Sequence, residues 1–421
     1  MFCRFFDFSG KNELLIFAWR DYFIKVYFFL RLRAFVWYNN VMSPTIKFRN
    51  IIFLSFCVIF CASLFGCAKK AEAFDLYGYF GDTLTRVVTY ETLGDDEEKI
   101  RAVCESVDRA VSLSVKNSDV NRFNSAEPSE KVRLSKVGYE IFSQAKELFT
   151  LTGGAYNPAV GLLVDLWGFS PRFNSPDYTP TMPYDRTEPS VPAEKYISAF
   201  SSEEVTDFSK VTLGQDNDGY YAIKPSGSVT VDGVKYSMQI DLGGIGKGYA
   251  SDECAKAVSQ KDFYVSVGAS SLVLGSNAVT PSGAKEENVW KVTLASPRGE
   301  KAYASVFAKN VAGSTSGDYQ KYFEQNGVRY SHIINPFTGR PIDNSVATVT
   351  LFGRTASALD ALTTAMSVMG KNDAISFWKE HLSDCDLLLT AYENGKGVIY
   401  TNLTEDRLVV GEEFVIQRIT A

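Results

Sequence analysis

The chain has 421 residues, 45% hydrophobic and 14% aromatic, with 43 basic against 49 acidic residues and a net charge of -6. That length and apolar content suffice for one large domain or two moderate ones. The basic residues are dispersed, with no block and no arginine–aromatic interleaving, which excludes a nucleic-acid groove.

Residues 1–41 are apolar, aromatic and basic without helical or strand periodicity, and read as sequence upstream of a true start at Met42. From Met42, Lys47 and Arg49 form a positive n-region and residues 51–64 an apolar h-region. That run is short for a transmembrane helix, which needs ~20 apolar residues. It ends in Leu64-Phe65-Gly66-Cys67 and resembles a bacterial lipoprotein signal. The resemblance implies a signal over 42–67, lipidation of Cys67, a tether over 68–73, and a membrane-anchored protein facing the periplasm or the cell exterior. A plain membrane anchor is the second reading. Of seven cysteines, Cys3, Cys57, Cys61 and Cys67 lie in this leader. Cys104, Cys254 and Cys385 are far apart, lack metal-ligand spacing and read as small apolar residues.

Residues 80–90 alternate as a strand. Residues 96–116 place Ile100, Val103, Val107 and Val111 at helical spacing behind the acidic Asp95–Glu98 turn. A second helix fits 135–152, stopped by Gly153-Gly154. Residues 170–192 are proline-rich and irregular. Strands fit 218–242, where Val234, Tyr236, Met238, Ile240 and Leu242 share a face, and further strands fit 263–274, 288–295 and 302–308. A helix fits 356–369 and a hairpin 385–401. Strands and helices mix without βαβ alternation, which predicts an α+β fold and not a doubly wound sheet.

The stretch DLGGIGKGYA, Asp241 to Ala250, reads as a glycine loop between a strand and a helix, where backbone amides meet an anion. It is not a Walker loop, because Gly248 follows Lys247 and Asp241 holds the upstream glycine position. It is not a Rossmann fingerprint, because Tyr249 stands in the third glycine position. A plain turn with a surface lysine is the alternative. Other chemistry-bearing stretches are residues 118–124, 153–169, 314–323 and 330–343. In 358–370, Asp360 and Thr364 share one helical face. A carboxylate and a hydroxyl on a buried helix fit a hard cation with oxygen ligands. They also fit Asp360 as an N-cap with Thr364 bonded back to its own helix.

Read in order, these stretches resemble the FAD:protein FMN transferase (ApbE) family, over essentially residue 74 to the C-terminus. The resemblance implies transfer of the FMN half of FAD to a Thr or Ser hydroxyl of another protein, with release of AMP. It implies a divalent cation, usually magnesium, on the pyrophosphate, held by Asp360, Thr364 and the Gly246 carbonyl. Lys247 would offset phosphate charge, and His332 would assist proton removal from the acceptor. Asp241 would anchor the glycine loop, and His381 is structural. Tyr156 and Trp167 would cover the flavin ring or belong to the core. Ser118, Asn124, Gly244, Ser316, Asp318 and Thr338 are implied FAD contacts. The implied acceptors are subunits of membrane electron-transfer complexes. Asn157 and Asn335 stand where aspartate is common, and residues 267–272 where a Gly-Gly pair is common. FAD hydrolysis to FMN and AMP, non-catalytic flavin binding, and a generic solute-binding lipoprotein are the competing readings.

Overall fold

The computed structural model describes residues 72–80, 83–174, 189–276 and 289–420. The Met42 start, the signal, Cys67 and most of the tether lie outside them. A strand already begins at Glu72, so the last two positions of the expected tether belong to the fold.

Short runs rich in β-branched and aromatic residues form one sheet of nine strands. They are β1 (Glu72–Phe80), β2 (Thr83–Thr89), β3 (Phe263–Val267), β4 (Ser271–Leu274), β5 (Val311–Gly317), β6 (Val346–Gly353), β7 (Asp386–Glu393), β8 (Lys396–Thr401) and β9 (Phe414–Arg418). Their spatial order is their chain order. Each neighbouring pair is antiparallel except β8 and β9, which run parallel. Seven residues of the central β6 are buried, as both of its faces are covered. Val349 and Leu351 enter the main core, whereas Phe352 enters a second cluster beneath a small sheet of Trp290–Ala295, Ala302–Ala308 and Leu408–Val410.

The helices that bear on the site are α1 (Asp95–Val111), α2 (Asp119–Ser125), α3 (Lys136–Leu151), α4 (Gly161–Leu166), α5 (Gly243–Ala257), α6 (Ala356–Met369) and α7 (Lys371–His381). Helix α1 stops at Val111, short of the expected 116, because Ser112 turns extended. Helix α3 starts where expected: the Ser135 Oγ accepts from the Gly138 amide at 3.0 Å. Helix α6 fills the expected 356–369. Helices α5 and α6 pack on each other, and both pack against the nine-stranded sheet.

Two expectations change. The glycine stretch is helical from Gly243 onward, so what reads as a loop is the first two turns of α5. A side chain at Gly248 would sit 2.2 Å from the Ala356 carbonyl oxygen, so glycine there lets α5 and α6 meet backbone to backbone. The strand expected through Leu242 ends its ladder at Ser237. Beyond it the chain stays in place through other partners: Gly161 N donates to Gln239 O, Asp241 N donates to Pro158 O, and the Asn124 amide bonds both backbone groups of Ile240.

Candidate active site

The floor of the site lies where α5 crosses α6. Asp360 sits in the second turn of α6 and is 2% exposed. Its Oδ1 accepts from the Ser314 hydroxyl at 3.1 Å, and its Oδ2 from the Gly248 amide at 3.2 Å. The Lys247 ammonium stands 3.6 Å from Oδ2 and donates to the Gly243 carbonyl at 2.8 Å. One turn along α6, the Thr364 Oγ1 donates to the Asp360 carbonyl at 3.1 Å and lies 3.2 Å from the Ser316 hydroxyl. Thr364 therefore bonds back to its helix, but Asp360 is not an N-cap. That capping role belongs to Asp252 of α5, whose carboxylate accepts from the amides of Ala356 and Ser357 at 2.8 and 2.9 Å. Asp252 thus fixes the register of the two floor helices.

Above this floor opens a cavity of about 650 Å³, large enough for a dinucleotide-sized ligand. Tyr156, Val160, Val164 and Phe169 make one apolar wall, while Thr315, Ser316 and Tyr319 continue from β5 on another. Lys247, Lys321 and His332 also line it. The Asp241 carboxylate accepts from the Gly243 amide at 2.7 Å, so it anchors the start of α5, and burial raises its pKa. The His332 Nδ1 lies 3.2 Å from the Lys321 carbonyl, which fixes the proton on Nδ1 and leaves the Nε2 lone pair available. Burial, reinforced by Lys247, pushes its pKa down to about 4, so the ring is neutral at pH 7.

These residues fit a hard cation. Asp360 and Thr364 present oxygen donors one helical turn apart, and Gly244 keeps the space beside Thr364 open. The Tyr156 hydroxyl is buried with no hydrogen-bond partner among the described residues, and feels the charges of Asp360 and Asp241. Among the described residues no cluster of three His, Cys, Asp or Glu side chains forms a dedicated metal cage. A single carboxylate suits magnesium, which keeps waters and phosphate oxygens as its remaining ligands.

Of the residues singled out in the sequence, Tyr156, Gly244, Lys247, Ser316, His332, Asp360 and Thr364 come together on the cavity. Six others do not line it, and each has a structural occupation. Gly246 is buried within α5. Trp167 is buried, stacks on Tyr330 and donates from Nε1 to the Gly339 carbonyl at 2.8 Å, so it has no face left for a flavin. Ser118 caps α2 through the Asn121 amide. Asn124 clamps Ile240 at 2.9 and 2.8 Å and so delivers Asp241 and Gly243 to the floor. The Asp318 carboxylate is held by Arg298 at 2.7 and 2.5 Å. Thr338 is exposed and accepts from the Arg340 amide.

Phe169, Tyr319 and Lys321 line the cavity and escaped notice, although all lie in stretches already marked by their composition. Ser314 opens a marked stretch, but its partner Asp360 comes only from the packing of α6 on β5; Asp252 carried no local signal, because only the crossing of α5 and α6 gives it partners. Asn157 and Asn335 act locally: Asn157 caps the turn at Pro158–Val160 through Ala159 N and donates to Thr206 O, and Asn335 accepts from Phe337 N. Within 267–272, Gly268 adopts φ +64° between β3 and β4, and Ser270 reaches the cavity.

A buried carboxylate with neighbouring hydroxyls, edged by lysines and faced by aromatic rings, defines an α+β protein whose cavity suits an anionic ligand with a flat ring. Residues 81–389 match the ApbE family, and the chain belongs to it. The chain is 30% identical over 318 residues to the FAD:protein FMN transferase of Vibrio cholerae serotype O1, covering 73% of this chain and 85% of that one. It is 28% identical to the FAD:protein FMN transferase of Haemophilus influenzae, over 76% and 87% of the two chains. The solved flavin transferase ApbE from Vibrio cholerae superposes with a TM-score of 0.61 at 25% identity, covering 79% of this chain and 97% of that one.

Proposed function

We infer that this chain is a FAD:protein FMN transferase, a flavin-transferring enzyme that uses FAD as its substrate. The observation that carries the reading is the meeting of Asp360, Thr364 and Lys247 under an aromatic-walled cavity of about 650 Å³. In the proposed reaction the acceptor Thr or Ser hydroxyl oxygen bonds to the FMN phosphorus, the bond from that phosphorus to the bridging oxygen breaks, and AMP departs with that oxygen. Lys247 and Lys321 offset the charge of the pyrophosphate. The neutral His332 accepts the hydroxyl proton at Nε2, with Nδ1 oriented by the Lys321 carbonyl. Tyr156 and Phe169 supply flat apolar faces for the flavin ring. Asp360 and Thr364 would hold a divalent cation, magnesium by the chemistry of the donors, which would supply charge neutralisation at the pyrophosphate.

We further propose lipid anchoring at Cys67, a position facing the periplasm or cell exterior, and acceptors in membrane electron-transfer complexes. The leader sequence supports the first two. The test incubates the protein with FAD and magnesium, with and without an acceptor bearing a flavinylation-type Thr, and follows AMP and acceptor mass. Acceptor mass rising by FMN in step with AMP is the expected result. AMP and free FMN in equal amounts, with no acceptor gain, would instead identify a FAD pyrophosphatase. Bound but unreacted FAD would identify a flavin carrier. Asp360→Ala is expected to abolish turnover and to remove magnesium binding measured by calorimetry without FAD.

A further inference from the structure

We propose that Cys104 and Cys254 are a disulfide-forming pair that joins α1 to α5 when the protein folds in a thiol-oxidising environment. The two sulfurs lie 3.7 Å apart, from positions 150 residues apart in the chain. Both side chains are fully buried in a small cluster with Val87, Ile100, Val258 and Val265. Helices α1 and α5 pack closely along their lengths, so the sulfurs face each other across a settled interface. A disulfide needs a separation of about 2.05 Å, so roughly 1.7 Å of closure is required, within reach of side-chain rotation and small helix shifts. Cys385 is buried elsewhere, against Asp384 and Gly353, with no other thiol beside it among the described residues.

The two thiols are within exchange distance of each other, so either can react first once the interface opens. One thiolate attacks a disulfide-bearing oxidant, such as oxidised glutathione or a protein disulfide, and displaces one thiol. The other cysteine's thiolate then attacks the protein sulfur of the mixed disulfide and releases the second thiol. The protein loses two protons and two electrons, and the oxidant disulfide is reduced to two thiols. Full burial keeps reagents out of the closed structure, so the bond is set during folding or local opening and acts as a staple. It holds α5, whose first two turns carry Gly244 and Lys247, against α1.

The test equilibrates the full-length protein in glutathione buffers from fully reducing to fully oxidising. Equilibrium is approached both from the reduced protein and from protein unfolded and refolded in the same buffers. Samples are unfolded in acid, alkylated, digested and read by mass spectrometry. The expected result in oxidising buffer is one cross-linked peptide pair carrying Cys104 and Cys254, two hydrogens lighter than the free thiols and restored by dithiothreitol. Cys385 should remain alkylated throughout. The melting midpoint should rise by several degrees on oxidation, and Cys104→Ala/Cys254→Ala should abolish that redox dependence. Separate alkylation of Cys104 and Cys254 in the most oxidising buffer by both routes, or glutathione adducts without the cross-link, would overturn the proposal. The readout is independent of flavin transfer, so neither result depends on the assigned activity.

Discussion

At the scale of single residues, the site turns on what each buried polar group has for a partner. The Tyr156 hydroxyl has none among the described residues and is held protonated by burial and by the Asp360 and Asp241 charges. An unsatisfied buried hydroxyl costs about 1–3 kcal/mol. Tyr156→Phe keeps the ring and removes that group, so its thermal midpoint in the absence of ligand should equal or exceed the parent's. A fall of several degrees would reveal a partner that the structure lacks. His332 makes a prediction with a definite sign. Its folded pKa of about 4 lies below the ordinary value of 6.5, so its neutral form favours the native state fully above pH 6.5. That contribution is lost as the pH falls from 6.5 through 4. His332→Gln should therefore flatten the acid side of the melting-temperature profile between these values, and an unchanged profile would refute the shift. The candidate residues Asp360, Thr364 and Lys247 were legible in the sequence because their spacing or motif marks them. Trp167 and Asp318 stand apart from the cavity for a reason that a motif position does not reveal: Gly339 and Arg298 already partner their side chains.

At the scale of elements, the crossing of α5 and α6 decides the geometry of the floor. Gly248 permits it, since any Cβ would meet Ala356 O at 2.2 Å. Gly248→Ala must push the helices apart, at a cost of about 1–3 kcal/mol typical of overpacking. It also disturbs the amide that donates to Asp360. A lowered melting midpoint together with at least tenfold weaker magnesium binding is the expected pair of results. Normal magnesium binding by a folded variant would show that the floor tolerates the shift. Asp252→Asn tests the same crossing from its other side. Its two oxygens accept separately from Ala356 N and Ser357 N, so replacing one of them by an amide nitrogen loses one of these bonds and should cost about 1 kcal/mol in urea unfolding while leaving cavity residues in place. Sequence patterning revealed α6 almost to the residue, because its apolar positions recur at helical spacing. It hid the start of α5, where four glycines among residues 243–248 argue against a helix that tertiary packing nevertheless stabilises.

At the scale of the molecule, the cavity depends on two sheets that meet away from the helices. The loop after Trp290–Ala295 carries Arg298, which grips Asp318 at the end of β5 and lies 5.3 Å from the centre of the Tyr392 ring. This tie sets the wall at Thr293–Ala295 against Tyr319. Its exposure limits its worth to about 1 kcal/mol. Arg298→Ala should therefore lower the melting midpoint by about 2 °C and raise the Kd for FAD by at most about fivefold; an unaltered Kd would show that the wall holds without it.

The α+β class, most strand and helix positions and the family can be read from local periodicity and short ordered motifs, and the same motifs mark the acid, hydroxyl and lysine of the floor. Which marked residues share the cavity, the clamping of the Ile240 backbone by Asn124, and the meeting of Cys104 with Cys254 come from the folded packing. Periodicity reports which face of an element is buried, whereas a side chain's partner depends on elements brought together from distant parts of the chain.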